Sequence, residues 1–368
     1  MNNHVISALL SPQQVDYALQ CIHSAQSIAI ITHQNPDGDA MGSSLAMRHF
    51  LLSLGKENVT NIVPTSYPDF LAWMPGVDQI IQAEQQYDQA AQALRSADLV
   101  ICTDLAEPTR VASLSPVLTE RFQSNYESNA NSARLLIIDH HLSKVCTEHP
   151  EQIAFPDCAS ASELVFRLAY QADELPLTED FATCIYTGMM TDTGNFSYNS
   201  CHPEMYSIIA MLLTTGINKD AIYDRVFNAY SADRVRLIGY CLYHKMKLFP
   251  EYHTALITLN RREIYRFNAK SGDMEGIVNM PLQIKDIYYS VFMREDKIPP
   301  HQLAEADGAT IKAKISLRSQ GNRPVNILAR EVFRGGGHSN ASGGEFFGSV
   351  KQAAEKFEAV MPEYFLTM

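Results

Sequence analysis

The sequence predicts an α/β chain of two domains: an N-terminal, doubly wound, largely parallel sheet and a smaller C-terminal mixed α/β domain, joined by a linker helix. Three observations lead there. At 368 residues the chain exceeds one ordinary core. Short continuous apolar runs separated by helical patterns occupy the first part, which is the signature of parallel strands covered on both faces. After Pro250 the pattern changes to strands of a second, mixed sheet. The expected boundaries are 1–234 for the first domain, 235–251 for the linker helix and 252–368 for the second domain.

In chain order, Ser11-Pro12 forms an N-cap and N1 pair, and Val15, Ala18, Leu19 and Ile22 repeat at helical spacing up to Ala25. "SIAIIT" reads as a buried strand, and the helix "SSLAMRHFLLSLG" follows an Asp-rich loop and closes at Gly55. "DLVICTD" ends in Asp104, and "RLLIIDHH" ends in Asp139, His140 and His141. Ser/Asn-rich 123–133 is expected as a surface loop. Helices are expected at "ASASELVFRLAYQAD", "FATCIYTGMMTD", "PEMYSIIAMLLTTG", "NKDAIYDRVFNAY" and "ADRVRLIGYCLYHKMKLF". "HTALITLN", "YYSVFMRED", "ATIKAKISLRS" and "PVNILAREVF" are expected as strands.

Composition narrows the function classes. The chain is 46% hydrophobic and 19% charged, an ordinary globular balance. No segment approaches the roughly eighteen apolar residues of a membrane span, and the N-terminus has no basic signal region, so a cytoplasmic location without membrane partners is expected. Seven scattered cysteines with no CxxC pair disfavour a disulfide framework and a zinc ribbon. A net charge of −12 argues against coating duplex DNA. Lys312, Lys314, Arg318, Arg323, Arg330 and Arg334 nevertheless share a stretch with Glu331 as its one acid, which is either an anion-docking face or a solvated strand.

The chemistry concentrates at strand ends. "ITHQNPDGDAMGSS" (31–44) carries His33, Asp37 and Asp39 but fails as a calcium loop, since counting from Asp37 puts Met41 and Arg48 where oxygen ligands are required. Its plain alternative is an acidic turn with Asp39 capping a helix. Asp104, the Asp139-His140-His141 run and Asp192 change that balance. Asp37, Asp39, Asp104 and Asp192 converging without cations would repel severely, whereas two divalent ions cancel their formal −4. Mixed imidazole and carboxylate donors suit Mn²⁺ or a similar first-row ion. A pair of ions activates water and clamps phosphoryl oxygens, which points to phosphoester hydrolysis.

A second constellation, "REVFRGGGHSNASGG", places Gly335, Gly336 and Gly337 where backbone can approach an anion, with His338 as donor and Arg318 and Arg334 as charge. It lacks the ending of a P-loop and the spacing of a dinucleotide fingerprint, and it is otherwise a tight turn before a helix. No GxSxG elbow or cysteine signature supports a serine or cysteine hydrolase. Tyr186, Phe196 and Tyr198 read as core or wall residues.

"HQNPDGDA", "CTD", "IDHH" and "MTDTGNFSY" resemble the four ordered motifs of the DHH phosphoesterases, and "SLRS" with "GGGHSNASGG" resembles their C-terminal DHHA1 domain. The resemblance covers nearly the whole chain. The layout is similar to the nanoRNase and pAp phosphatase group, rather than to RecJ exonucleases, membrane-bound cyclic-dinucleotide phosphodiesterases or the short pyrophosphatases.

By position, the resemblance implies one metal on His33, Asp37 and Asp104 and another on Asp39, Asp104, His140 and Asp192, with Asp104 shared. Asp139 would orient a ligating imidazole, and His141 would stabilise the transition state or protonate the leaving oxygen. Arg318, Arg334, His338 and the glycine-loop amides would bind substrate phosphate. The implied cofactor is two Mn²⁺, with Mg²⁺ or another divalent ion as the alternative. The implied substrates are very short oligoribonucleotides, pAp and linear dinucleotides such as pApA, and a homodimer is one assembly it allows. Asn195 stands where many relatives carry arginine. Rival readings are a single-strand DNA exonuclease of the RecJ type and a metal-stabilised nucleotide-binding regulator without catalysis.

Overall fold

The apolar runs become six strands: β1 (Ile28–Ile31), β2 (Val59–Val63), β3 (Ile81–Gln82), β4 (Leu99–Thr103), β5 (Arg134–Asp139) and β6 (Gln152–Ala154). All pair in parallel in the order β3-β2-β1-β4-β5-β6. The computed structural model describes residues 6–127, 134–141, 151–270, 272–299, 302–303, 306 and 308–365. Eight helices accompany this sheet among the described residues: α1 (Pro12–Ser24), α2 (Gly38–Ser53), α3 (Tyr87–Ser96), α4 (Ser115–Glu127), α5 (Ala161–Gln171), α6 (Glu179–Asp192), α7 (Pro203–Leu213) and α8 (Lys219–Phe227).

The continuity of the apolar runs has a direct cause. Alternate residues enter two cores, with Ile28, Ile30, Leu99 and Ile101 packing against α1, α2, α5 and α6, and Ala29, Ile31, Val100 and Cys102 packing against α3 and α4. Helix α2 starts at Gly38, earlier than its apolar spacing suggests, because the Asp37 carboxylate caps it by accepting from the amides of Asp39 and Ala40. Asp37, not Asp39, is therefore the cap. Residues 123–127, expected in a loop, extend α4, and 128–133 lie outside the described residues.

Contact clustering along the chain divides it into Met1–Ala229 and Tyr230–Met368, so the segment 235–251 falls inside the second unit. There the long helical pattern resolves into α9 (Ala232–Tyr240), a π turn (Cys241–Lys245) and β7 (Lys247–Phe249), with β7 drawn into antiparallel pairing with β8 (Thr254–Leu259). The unit continues through α10 (Arg261–Arg266), β9 (Tyr289–Lys297), β10 (Ile311–Ser319), α11 (Asn326–Val332), β11 (Gly336–Gly337), β12 (Ala341–Phe347) and α12 (Val350–Phe365). Its mixed sheet has the order β11-β12-β10-β9-β8-β7, with β8 and β9 parallel.

"PVNILAREVF" is the helix α11 rather than a strand, because Val325, Leu328, Ala329 and Phe333 present one helical face to the core formed with α12. The glycine run is likewise a two-residue strand paired with β12, not a turn entering a helix.

Helices α2 and α6 meet at glycine. A Cβ on Gly42 would lie 2.7 Å from the Cys184 carbonyl oxygen and 2.9 Å from Gly188 Cα. Gly42→Ala is expected to destabilise the first unit by about 1–3 kcal/mol through overpacking. Gly239→Ala, on the open face of α9 with nothing within 4 Å, should instead stabilise by about 0.5–1 kcal/mol. Urea unfolding of both variants measures the contrast.

Candidate metal centre

Strands β1 and β4 are neighbours whose connections leave in opposite directions along the sheet, and a crevice at the carboxyl ends of such a pair is the usual ligand position in doubly wound folds. His33 follows β1, Asp104 follows β4, and Asp139, His140 and His141 end β5 or follow it. Asp39 comes from the first turn of α2 and Asp192 from the last residue of α6.

Asp104 occupies the centre. Its φ of 55° turns the chain out of β4 in a left-handed conformation that costs a non-glycine residue about 1–3 kcal/mol, while its amide still bonds the Ile138 carbonyl of β5 at 2.8 Å. One carboxylate oxygen lies 3.1 Å from His33 Nε2, and the other lies 3.1 Å from His141 Nδ1 and 3.6 Å from His140 Nε2.

Backbone carbonyls set both buried imidazoles. His33 Nδ1 donates to Gln34 O at 2.9 Å, and His140 Nδ1 donates to Cys158 O at 3.3 Å. A carbonyl only accepts, so each neutral ring keeps its proton on Nδ1 and aims the Nε2 lone pair into the site. For His140 that lone pair faces Asp192 at 3.5 Å, Asp104 at 3.6 Å and Asp39 at 3.7 Å. Lone pair against carboxylate is unfavourable without a positive charge between them. Burial lowers the pKa of both rings, but Asp104 beside His33, and Asp192, Asp104 and Asp39 beside His140, outweigh it and raise both. Without metal, a proton on Nε2 therefore supplies the charge that a cation would otherwise carry.

These separations fit a cation. Donors placed 2.0–2.2 Å from one first-row ion stand roughly 3 to 3.7 Å from each other. His33 with Asp37 and Asp104, and Asp39 with Asp104 and His140, are two sets whose donor atoms lie within 4.8 Å of one another, and Asp104 belongs to both.

The electrostatics agree with this geometry. Burial, then the charges of Asp104 and Asp192, push the Asp39 carboxyl up to about 8 against the opposing pull of His140 and Ser162. Its oxygens accept from the amides of Ala161 (2.7 Å) and Ser162 (2.9 Å) at the start of α5. Burial pushes Asp192 up to about 6, helped by Asp37 and Asp104 and opposed by His140. Asp104 is held well below the usual carboxylate range: burial opposes ionisation, but His141 and His33 outweigh it.

Asp139, two residues from His141 and on the same side of the strand, accepts from His141 Nδ1 at 2.7 Å and from its amide at 3.2 Å. Its hydrogen bond thus goes to His141, and a main-chain carbonyl orients His140. Burial lowers the His141 pKa, but Asp104 and Asp139 more than offset this and raise it to about 11. Tyr186 and Phe196 pack together with ring centroids 5.7 Å apart, and Tyr198 is exposed.

In the second unit, Arg318 lies on β10, and Gly336 and Gly337 pair with Gly343 and Ser342. The amide of Gly335 bonds Ala329 O at 2.9 Å, so it is committed to the fold. The His338 carbonyl accepts from the Ser342 hydroxyl at 2.7 Å, and the Arg334 guanidinium sits 5.0 Å from the centre of the Phe347 ring.

Residue-type reasoning missed the start of α5. Ser160 caps that helix by accepting from the Glu163 amide, and the next two amides hold Asp39. The Ser-x-x-Glu pattern at 160–163 was the available signal.

One consequence concerns the metal-free protein. A carboxyl raised from its unfolded value to about 8 costs nothing below pH 4 and destabilises increasingly as pH rises to 8. Metal-free Asp39→Asn should therefore melt above wild type at pH 8, by roughly 2–4 °C for each kcal/mol relieved, with the gap closing toward pH 4. Thermal denaturation in chelator across that range measures it.

Residues 27–189 match the model of the DHH family, N-terminal domain. The bifunctional oligoribonuclease and PAP phosphatase NrnA of Thermus thermophilus is 30% identical over 91% of this chain and 90% of its own length. A probable bifunctional oligoribonuclease and PAP phosphatase NrnA of Streptococcus mutans is 24% identical over 88% of this chain and 90% of its own length. The crystal structure of an exopolyphosphatase-related protein from Bacteroides fragilis superposes with a TM-score of 0.84 at 40% identity, covering 98% of each chain. With this similarity along its whole length and the Asp and His cluster at the sheet edge, the chain belongs to the DHH family of metal-dependent phosphoesterases.

Proposed function

We propose that this protein hydrolyses very short oligoribonucleotides to 5′-mononucleotides, and pAp and linear dinucleotides such as pApA, using two divalent ions, with Mn²⁺ preferred. The observation that carries the reading is His140 Nε2 set against the carboxylates of Asp39, Asp104 and Asp192, which come from three separate elements. The relatives from Thermus and Streptococcus, named as oligoribonucleases and PAP phosphatases, support this substrate class.

In this reading His33, Asp37 and Asp104 hold one ion and Asp39, Asp104, His140 and Asp192 hold the other. The ions supply Lewis-acid activation of water and neutralise charge on the phosphoryl group. Asp104 keeps the two sites in register, because its left-handed backbone presents one oxygen to each side. Asp139 holds His141 by its Nδ1, which fixes the orientation of the ring and favours its protonated form. In this reading His141 acts as a proton donor: as water attacks phosphorus and the bond to the leaving ribose oxygen breaks, its proton passes to that oxygen, and the proton lost by the water leaves with the phosphate product or to solvent. Arg318, His338 and the amides of Gly336 and Gly337 take the substrate's phosphate, through charge-assisted bonds. Arg334 is not grouped with them, because it lies over Phe347, which pairs with Lys312 at the other end of β10 from Arg318.

The charge distribution supports a small substrate over duplex DNA. Residues 1–229 carry 10 Lys+Arg against 26 Asp+Glu, formal −16, whereas residues 230–368 carry 19 against 15, formal +4. Among the described residues no helix is long and apolar enough to cross a membrane.

The decisive measurement is product formation from pAp, pApA, RNA dimers to pentamers and a 24-mer of single-stranded DNA, with Mn²⁺ or Mg²⁺. Preference for the short substrates is expected, and equal processive digestion of the DNA refutes the assignment. His140→Ala should lower kcat/KM at least about a hundredfold. His141→Gln should lower it about 10²–10⁴-fold on pApA but far less on a nitrophenyl phosphodiester, whose leaving group needs no proton. Equal losses on both would remove the donor role.

A further inference from the structure

On the face of β10 away from the α11 and α12 core stand Lys312, Lys314, Ser316 and Arg318. Lys314 is directly opposite Arg294 of β9, and Arg318 is opposite Ser290. Like charges facing each other across an antiparallel pair repel. Asp296 neutralises one of the two, bonding Lys314 at 3.3 Å. The half-buried Arg294 guanidinium makes no hydrogen bond among the described residues, which leaves one positive charge and a fork of donors on the face. Lys312 is a different case, because Glu345 holds it at 2.6 Å.

Between this pair and Arg318 the β12 side of the strand is bare of long side chains, because Ser316 is flanked there by Gly343, which pairs in turn with Gly336. On the β9 side Ser316 faces the buried Phe292. An extended chain can lie along the β10 and β12 side of that face. Arg318 and Lys314 are four strand residues apart, about 14 Å, which is longer than the reach of one nucleotide.

We propose that Arg294 and Lys314 form a second phosphate subsite on this sheet face, taking a backbone phosphate of an oligonucleotide whose end is bound at Arg318. The inference rests on the phosphoesterase reading and deepens it. The subsite lies beyond pAp and is used by longer oligoribonucleotides. Burial and the Arg294 charge push the Lys314 ammonium below its ordinary value, a cost that a bound phosphate relieves.

The test compares kcat/KM for a pentaribonucleotide and for pAp in wild type, Arg294→Gln/Lys314→Gln, Lys314→Gln and Lys314→Arg. The pentamer-to-pAp ratio is expected to fall about tenfold in the double variant, the loss of a charge-assisted contact, and to stay within about twofold in Lys314→Arg. Lys314→Gln, which removes the like-charge pair, gives the same readout with a partial fall if the double variant does not fold. Fluorescence anisotropy of a labelled pentamer, titrated with salt, should lose about 0.7 of log-log slope for each phosphate contact removed. An unchanged ratio with an unchanged slope overturns the subsite. Wild type that cleaves none of the phosphoesters refutes the phosphoesterase reading separately, and the salt slope then still decides the subsite.

Discussion

Negative charge buried at the β1 and β4 edge is the constraint on which the first unit turns. Asp39, Asp104 and Asp139 are buried there, Asp192 adjoins them, and His33 and His140 point Nε2 inward among them. A fold gains nothing from such an arrangement by itself, since each uncompensated buried carboxylate opposes folding. The surrounding chain distributes the burden through several devices: helix-start amides for Asp39, histidines for Asp104 and a proton shared between Asp139 and His141. In the proposed reading divalent cations would complete the compensation.

Helix packing serves that cluster. A Cβ on Gly188 would lie 2.9 Å from Asp39 Oδ1 and would overlap the Ser162 hydroxyl, so this glycine lets α6 approach the ends of α2 and α5. Gly38 plays a similar part, because a side chain there would collide with Thr191, one residue before Asp192. The glycines therefore set the distance between the carboxylates of α2 and α6 as well as the density of the core.

Charge is divided between the two units. The first unit is acidic and the second mildly basic, so charges that would attract cations and anions are kept on separate units. The basic stretch at 312–334 illustrates how burial sorts such charge. Lys312 is consumed by Glu345, Arg334 covers the Phe347 ring, and Lys314 with Arg318 stays on the open sheet face.

Periodicity and strand-end chemistry were sufficient to read the parallel sheet and a carboxyl edge where Asp and His gather, because side-chain type and spacing along one strand are local properties. The division of His33, Asp37, Asp39, Asp104, His140 and Asp192 between two ions came from the family resemblance. Boundaries failed where tertiary partners decide. Helix α11 and β7 were misread because a short apolar run suits either state until a neighbour packs against it or pairs with it. The left-handed turn at Asp104, the α5 amides that hold Asp39 and the pairing of Asp139 with His141 join residues up to 123 positions apart or depend on backbone direction. The sequence by itself determined which donors exist and which strand ends carry them. Only the tertiary structure decided which lone pair faces which carboxylate, since that depends on hydrogen bonds between segments distant in the chain.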